Sequence, residues 1–571
     1  MRMNQRSLPR LCLLAALALL TACLPAGGGI STPSSVAASP AVDAPLSANT
    51  PFLPEGYATP TAPPPPDPTA TSTRQPDTLW ISPAVPIALR DAALATGFPP
   101  AADPSGAAIL LDVQPLTSAT SPTSTWIYAL VAPFPTVTDG VTADDLRRSW
   151  AGEPTGPFAG RPLWMDQPTL DAFTALWGAP GSGSVQVAPA GELLDAMWAG
   201  QPAWGIVPFE SLQPRWKVLS VDGQSPIHKE FDQSAYPLAV PFALQPAAFS
   251  LPPSNRDPSK MTVLVMTGVT AMVRATASRM ETKGLTYPAE GIGGWLRSAD
   301  VTHISNEISF ADSCPPPNPS QTSLTFCSDP DYMALLVDVG ADVIELTGNH
   351  MNDWGTDNFL YTLDLYRQNN MQVYGGGADL TASLKPLTLS NNGNKLAFIG
   401  CNPVGPVADW ATASLPGSAP CGDYGWMVTD IARLRSEGYL PIATFQYYEY
   451  YTPYPAEHQV SVFGQMADAG AVIVSGSQSH YPMAMTFRGE TFIHYGLGNL
   501  FFDQMNYILP DGSITTGTRN EFIDRYVIYD NRVISVELLT AVLEDYSRPR
   551  PMTEAERSQL LEDVFKASGW R

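Results

Sequence analysis

The sequence predicts an α/β protein in two folded parts behind a long leader. Two observations carry this. From Thr78 onward, short β-branched and aromatic runs alternate with stretches of helical spacing. A proline-rich break, Leu251-Pro252-Pro253-Ser254-Asn255-Arg256-Asp257-Pro258-Ser259-Lys260, then divides an earlier set of such runs from a later one. The 571 residues leave room for two or three domains with cores of their own, and 44% apolar content suits globular domains.

The leader sets the compartment. Arg2, Arg6 and Arg10 precede an apolar run from Leu11 to Leu20, followed by Thr21-Ala22-Cys23. A charged start, a short apolar core and small residues before a cut describe a secretory signal over residues 1–22. The run is too short for a membrane span, which takes roughly 20 helical residues. Leu20-Thr21-Ala22-Cys23 resembles a bacterial lipobox, so Cys23 is expected to carry a lipid and tether the chain outside the cytoplasm. Residues 23–77 are rich in Pro, Ala, Ser and Thr and read as an extended tether. The net charge of −23 excludes nucleic acid as a partner, since phosphate contacts need clustered Lys and Arg, and it disfavours electrostatic docking to anionic lipid.

Of the six cysteines, Cys12 falls in the signal and Cys23 in the lipobox. Cys314, Cys327, Cys401 and Cys421 remain, and in an exported chain they suggest two disulfides with three possible pairings. Local closure, Cys314 with Cys327 and Cys401 with Cys421, is the simplest. A zinc site is the alternative, but none of the four falls in a Cys-x-x-Cys pair.

The first folded part, 78–251, has strand-like runs at Leu79-Trp80-Ile81, Ala108 to Leu111 and Trp126 to Val131, with helices expected at Thr142 to Trp150 and Thr169 to Trp177. Val141 to Gly152, then Pro202-Ala203-Trp204-Gly205-Ile206-Val207-Pro208-Phe209, Val221-Asp222-Gly223 and Tyr236-Pro237-Leu238 resemble, in that order, phosphate-type periplasmic solute-binding proteins. The stretch before them is short for a complete first lobe. Thr123, Ser124 and Thr125 are candidate anion donors, although such a cluster also suits a plain loop.

The second part, 261–571, opens on the buried strand Thr262 to Gly268. Strands are expected at Asp300 to Ser305, Asp342 to Leu346, Leu396 to Ile399, Ile442 to Phe445 and Ala471 to Val474, and helices at Asp331 to Val339, Asp357 to Gln368 and Glu457 to Ala469. Phe522 to Tyr529 and Arg532 to Leu539, joined by Asp530-Asn531, read as a hairpin. Thr553 to Ala567 reads as a closing helix with Thr553 and Glu556 at capping-box spacing.

Four motifs give this part a resemblance. Ala299-Asp300 with Asn306-Glu307, Gly348-Asn349-His350-Met351-Asn352-Asp353-Trp354-Gly355, Gly375-Gly376-Gly377 before Lys385-Pro386, and Tyr495-Gly496-Leu497-Gly498-Asn499-Leu500-Phe501-Phe502-Asp503 are similar, in order and spacing, to the CapA (poly-γ-glutamate capsule synthesis) family. That family is related to calcineurin-like metallophosphoesterases. The resemblance implies a four-layer α/β/β/α domain and a centre where two metal ions activate water. Such a pair of ions needs a bridging oxygen and several carboxylate, amide and imidazole ligands.

Several of those ligands are replaced. The family's Gly-Asp reads Gly268-Val269, its His-Trp-Gly reads Gln446-Tyr447-Tyr448, and its Gly-His-His-Pro-His reads Gly476-Ser477-Gln478-Ser479-His480. What the resemblance leaves is Glu307, Asn349 and His480 as metal ligands, His350 as proton donor, and Arg274, Tyr447 and Asn499 as substrate contacts. The expectation is one divalent ion, manganese or zinc, or none. Each survivor also has a plain structural use: Glu307 pairing with Arg274, Asn349 and Asp353 in a turn and cap before the helix near Thr356, and His350 and His480 hydrogen-bonding within the pocket. The tyrosine-rich run Phe445 to Pro455 admits packing beneath a helix or a platform for a carbohydrate or polymer. A serine hydrolase is excluded, because Gly476 to His480 lacks the Gly-x-Ser-x-Gly turn.

Two functions stay open at this level. One is an envelope lipoprotein of the CapA type acting on capsule, poly-γ-glutamate or another surface polymer, with a degraded metallophosphoesterase-like site. The other is a non-catalytic lipoprotein that binds a solute, a polymer, or a small anionic or saccharide ligand.

Overall fold

The computed structural model describes residues 77–115, 118 and 121–570. The signal, Cys23 and the tether up to residue 76 lie outside the described residues. Three sheets organise the rest. In the N-terminal part, the ten-residue strand Ser124–Pro133 is buried along almost its whole length. It pairs antiparallel with Trp204–Pro208, Trp216–Val221 and Ala239–Gln245, forming the centre of a mixed nine-stranded sheet. A strand so covered on both faces must be apolar throughout, and Trp126 to Ala132 are. The helices Ala143–Ala151 and Gln167–Trp177 start on Thr142 and Asp166, whose side chains accept from Asp145 and Thr169 amides.

The C-terminal part is the expected four-layer α/β/β/α sandwich. A seven-stranded sheet runs in the order Gln372–Tyr374, Val343–Glu345, Val301–Asn306, Met261–Thr270, Asn520–Tyr529, Arg532–Glu544, Arg548–Pro551. Its first four strands are parallel and the rest antiparallel. A six-stranded sheet faces it, with Asn394–Cys401, Leu440–Phe445, Ile473–Gly476 and Thr491–His494 parallel at its heart. Leu264, Met266 and Val343 from one sheet meet Phe398, Ile442 and Phe492 from the other in the core between them. Helix Thr356–Gln368 and its neighbours cover the outer face of the first sheet; Gly425–Ser436 and Glu457–Ala469 cover the second.

The closing elements follow local chemistry. Asp530 and Asn531 both adopt positive φ, 52° and 57°, between two antiparallel strands, the geometry of a tight two-residue hairpin. Thr553 and Glu556 form a reciprocal capping box on Glu554–Ala567. Both disulfides close locally, Cys314 with Cys327 and Cys401 with Cys421. Among the described residues no helix is long and apolar enough to cross a membrane.

The two parts are sewn together. Phe134, from the end of the long N-terminal strand, packs its ring 5.1 Å from Phe487 and 5.3 Å from Phe492, against the second sheet. The proline-rich break is held by Asn255, whose amide bridges both backbone groups of Ile127 and the Glu210 carboxylate. Thr123 and Ser124, candidate anion donors, are used by backbone: Thr123 Oγ1 accepts from Leu244 N and Ser124 Oγ donates to Pro252 O. These hydroxyls knit the sheet edge to the linker instead of facing a ligand.

Between the two C-terminal sheets lies a buried polar layer. His303 is 1% exposed and is hydrogen-bonded through Nε2 to Tyr374 OH, which is joined in turn to Thr444 Oγ1. Burial holds the His303 imidazole down to about 3, so it is neutral in the native state. The unfolded chain protonates it near its ordinary value of about 6.5, so stability falls as pH drops from there towards the folded value. Urea unfolding is expected to show the wild type losing about 1 kcal/mol more than His303→Gln between pH 6 and pH 5. Equal losses would contradict a neutral buried imidazole.

Candidate functional site: a hydrogen-bonded pocket at the strand ends

The carboxyl ends of the parallel strands of both sheets converge, which is where α/β folds place their sites. Strand Met261–Thr270 brings Val269, Val301–Asn306 leads into Glu307, and Val343–Glu345 leads into Asn349 and His350. From the second sheet, Leu440–Phe445 leads into Gln446 and Ile473–Gly476 into Gln478 and His480. The sheets touch here through Gln446 Nε2, which donates to Ser305 Oγ at 3.3 Å, and through Ser305 Oγ to Ser477 Oγ at 3.2 Å.

The segment Leu497 to Leu500 threads this junction. Val269 N donates to Gly498 O and Leu500 N donates to Val269 O. The approach requires glycine at 268, where a Cβ would stand 2.1 Å from Gly498 O, and at 498, whose φ is +83°. The Val269 side chain is fully buried with Ala271, Ile308, Phe326 and Phe502. Val269 thus stands in an apolar cluster at the strand end.

The centre is a chain of hydrogen bonds. Gln478 Nε2 donates to Asn349 Oδ1 at 3.2 Å and stands 3.5 Å from His480 Nε2. His480 Nδ1 lies 2.7 Å from Asn499 Oδ1. Asn499 Nδ2 donates to the Thr518 carbonyl, which fixes its Oδ1 as an acceptor. His480 therefore donates from Nδ1, and its Nε2 faces the Gln478 amide nitrogen, an arrangement that suits an acceptor there. The chain continues through Gln504, an acceptor for Asn499 Nδ2 and a donor to Tyr451 OH, and ends on Glu449.

Glu307 is 2% exposed and its Oε2 has no hydrogen-bond partner. Burial raises its pKa, with His350, His480 and Arg274 pulling back and Glu449 adding to the rise. His350 sits at the edge, its Nδ1 2.8 Å from Asp353 Oδ2 and its ring edge-on to Phe326. Burial works against its charged form, but the Asp353 hydrogen bond and the Glu307 and Asp409 charges outweigh it and raise its pKa. Both Arg274 and His480 adopt positive φ, 46° and 51°, a conformation that costs an ordinary residue of order 1 kcal/mol. Two such residues flanking one pocket mark a backbone shaped for a site.

Several expected partners differ. Arg274 pairs with Asp503, not Glu307, through Nε to Oδ2 at 3.1 Å, and its guanidinium lies over the Phe326 and Phe502 rings. Tyr447, expected to touch substrate, is 2% exposed in the core beneath helix Glu457–Ala469, against Phe463 and His458. That helix buries the ring and removes it from the pocket. Asp353 holds His350 and accepts from Phe326 N; the following helix is instead preceded by Gly355 with no side-chain cap. Glu307, Asn349, His350, His480 and Asn499 do come together. Gln478, Gln504 and Asp503 belong with them and went unassigned. Asp503 ends the Tyr495 to Asp503 motif, and Gln478 lies in the Gly476 to His480 segment beside His480.

For a resident cation the residues present do not fit. Among the described residues no group of three or more His, Cys, Asp and Glu side chains stands where it could hold a metal ion. The Gln478 amide nitrogen lies between Asn349 Oδ1 and His480 Nε2, the two lone pairs a cation would need.

Residues 263–504 match the family described as bacterial capsule synthesis protein PGA_cap. This stretch is similar to CapA-type capsule synthesis proteins. Over 331 residues the chain is 22% identical to the capsule biosynthesis protein CapA of Bacillus anthracis, covering 56% of this chain and 77% of that one. Among solved structures it is similar to the NAD nucleotidase of Haemophilus influenzae, at 11% identity and a TM-score of 0.28, over 54% of this chain and 56% of that one. It is also similar to a phosphate transport receptor from Vibrio cholerae, at 13% identity and a TM-score of 0.25, over 32% of this chain and 88% of that one. The CapA-type match ends at residue 504, yet strand Asn520–Tyr529 pairs directly with Met261–Thr270, so the sandwich is completed beyond it.

Gln478→Leu keeps the volume and removes the donor, leaving the buried His480 Nε2 and the half-buried Asn349 Oδ1 unmatched. It is expected to lower the unfolding free energy by about 2 kcal/mol in urea titrations. A loss below about 0.5 kcal/mol would show that the amide bridge carries no weight.

Proposed function

We propose that this chain is an exported, lipid-anchored protein of the CapA type that serves the synthesis or handling of capsule, poly-γ-glutamate or another surface polymer by binding, not by phosphoester hydrolysis. The observation that carries this reading is the Gln478 amide placed between Asn349 and His480, with Val269 in an apolar cluster where the family has its first carboxylate. With Asn349 and His480 engaged by Gln478, Glu307 is left, among the described residues, as the pocket's one unmatched carboxylate, too few ligands to hold a catalytic ion. The kinship with capsule synthesis proteins supports the polymer, and the lipobox supports the anchor at Cys23. The polymer and the membrane surface are thus the partners of this reading.

A second reading rests on His350. An imidazole oriented by Asp353, with raised pKa and 17% side-chain exposure, has the attributes of a proton donor. In that reading the domain is a metal-dependent phosphoesterase-like hydrolase with a reduced ligand set.

The two separate in one preparation. Purified full chain is dialysed against manganese or zinc, and both bound metal and hydrolysis of bis(p-nitrophenyl) phosphate are measured. The binding reading expects no stoichiometric metal and no turnover above that of His350→Ala. Metal-dependent turnover lost in His350→Ala would overturn it. For the anchor, Cys23→Ala is expected to move the protein from the membrane fraction to the soluble fraction. Retention in the membrane would refute lipidation at that thiol.

A further inference from the structure

A cavity of about 330 Å³ lies between the N-terminal sheet and the C-terminal sandwich, away from the strand-end pocket. Strand Trp216–Val221 lines one wall; strand Arg532–Glu544 and helix Glu554–Ala567 line the other. The volume is at the small end of the range for organic ligands.

Its charges are unusual for so acidic a chain. Asp139 is shared by two cations: Arg557 binds it with two parallel hydrogen bonds of 2.8 Å, and Lys217 Nζ lies 2.7 Å away. Glu537 is held by His228 Nε2 at 2.8 Å and faces Arg525 at 3.7 Å. Lys217 and Arg557 line the cavity with Asp139 and Glu537, and Arg525 stands behind Glu537 outside the lining, so two carboxylates meet three cations, a formal excess of one positive charge within a chain of net charge −23. Burial and the neighbouring Arg557 hold Lys217 down to about 8, against the pull of Asp139, and it keeps its proton at neutral pH. The N–H groups of Lys217 and Arg557 are engaged by protein acceptors, so they contribute field, not new hydrogen bonds. The Ser225 hydroxyl is buried at the cavity with no partner and is a donor in waiting. Phe134, Val218, Trp295, Leu539 and Met552 supply apolar walls.

We propose that this interlobe cavity binds a small organic monoanion with an apolar, ring-sized body, its charge placed near Ser225 in the field of Lys217 and Arg557 and its body against the Trp295 wall. Such a ligand joins the two parts without using the strand-end pocket, so this site stands or falls independently of the polymer reading.

The test is calorimetric titration of the full chain with 3-phenylpropionate and its neutral counterpart 3-phenylpropanamide. Saturable one-to-one binding of the acid is expected, with the amide weaker by about tenfold or more. Ser225→Phe, which fills the cavity, is expected to abolish binding while leaving the melting temperature of the protein within a few degrees. Glu537→Gln removes a negative charge from the wall and is expected to tighten binding of the acid. No saturable binding, equal binding of acid and amide, weaker binding in Glu537→Gln, or undiminished affinity in Ser225→Phe would each overturn the proposal.

Discussion

A buried lone pair must be met by a proton or a cation, because leaving it bare costs as much as a lost hydrogen bond or more. In this C-terminal domain the constraint falls on Asn349 Oδ1 and His480 Nε2, brought face to face by strand ends of opposite sheets. The protons of one amide, Gln478, meet both. That choice propagates outward. It fixes the tautomer of His480, and Asn499, held by the Thr518 carbonyl, takes the other imidazole nitrogen. Asn499 belongs to the segment that threads between the sheets beside Val269, so the same bonds that close the pocket also clamp the sandwich at its open end.

Much of the fold was legible because it follows from local chemistry. Helix Glu457–Ala469 was predicted over the very span it occupies, since its spacing, acidic first turn and following Gly470 are all sequence-local signals. The Asp530-Asn531 hairpin, the Thr553 and Glu556 capping box and the two short-range disulfides share that property. The site was legible as a set of positions, because motif spacing marks the strand ends that carry Glu307, Asn349, His480 and Asn499. What could not be read was partner choice. Arg274 selects Asp503, 229 positions away, over Glu307, and Tyr447 points under a helix instead of into the pocket. Both outcomes depend on how distant elements pack, which no spacing within the chain encodes. Thr123 and Ser124 illustrate the same limit, since their partners come from the neighbouring strand Ala239–Gln245 and from the linker, both more than 120 positions away.

The two parts do not behave as beads on a string. Phe134 enters the core of the sandwich, Asn255 ties the linker to the first sheet, and Arg557 from the last helix reaches Asp139 of the N-terminal part. The N-terminal part is fastened to the sandwich at these points. It acts as a fixed wall, and the charged cavity at the seam is a consequence of that attachment.

The account rests on the His480 imidazole donating from Nδ1 to Asn499 and accepting at Nε2 from Gln478. Nitrogen-15 spectra of histidine-labelled protein at neutral pH, assigned with His480→Gln and recorded before and after addition of zinc, test it directly. The account predicts a protonated Nδ1, an unprotonated Nε2 and no change in either resonance with zinc. A zinc-induced shift at Nε2, or a proton found there in the metal-free protein, would contradict it.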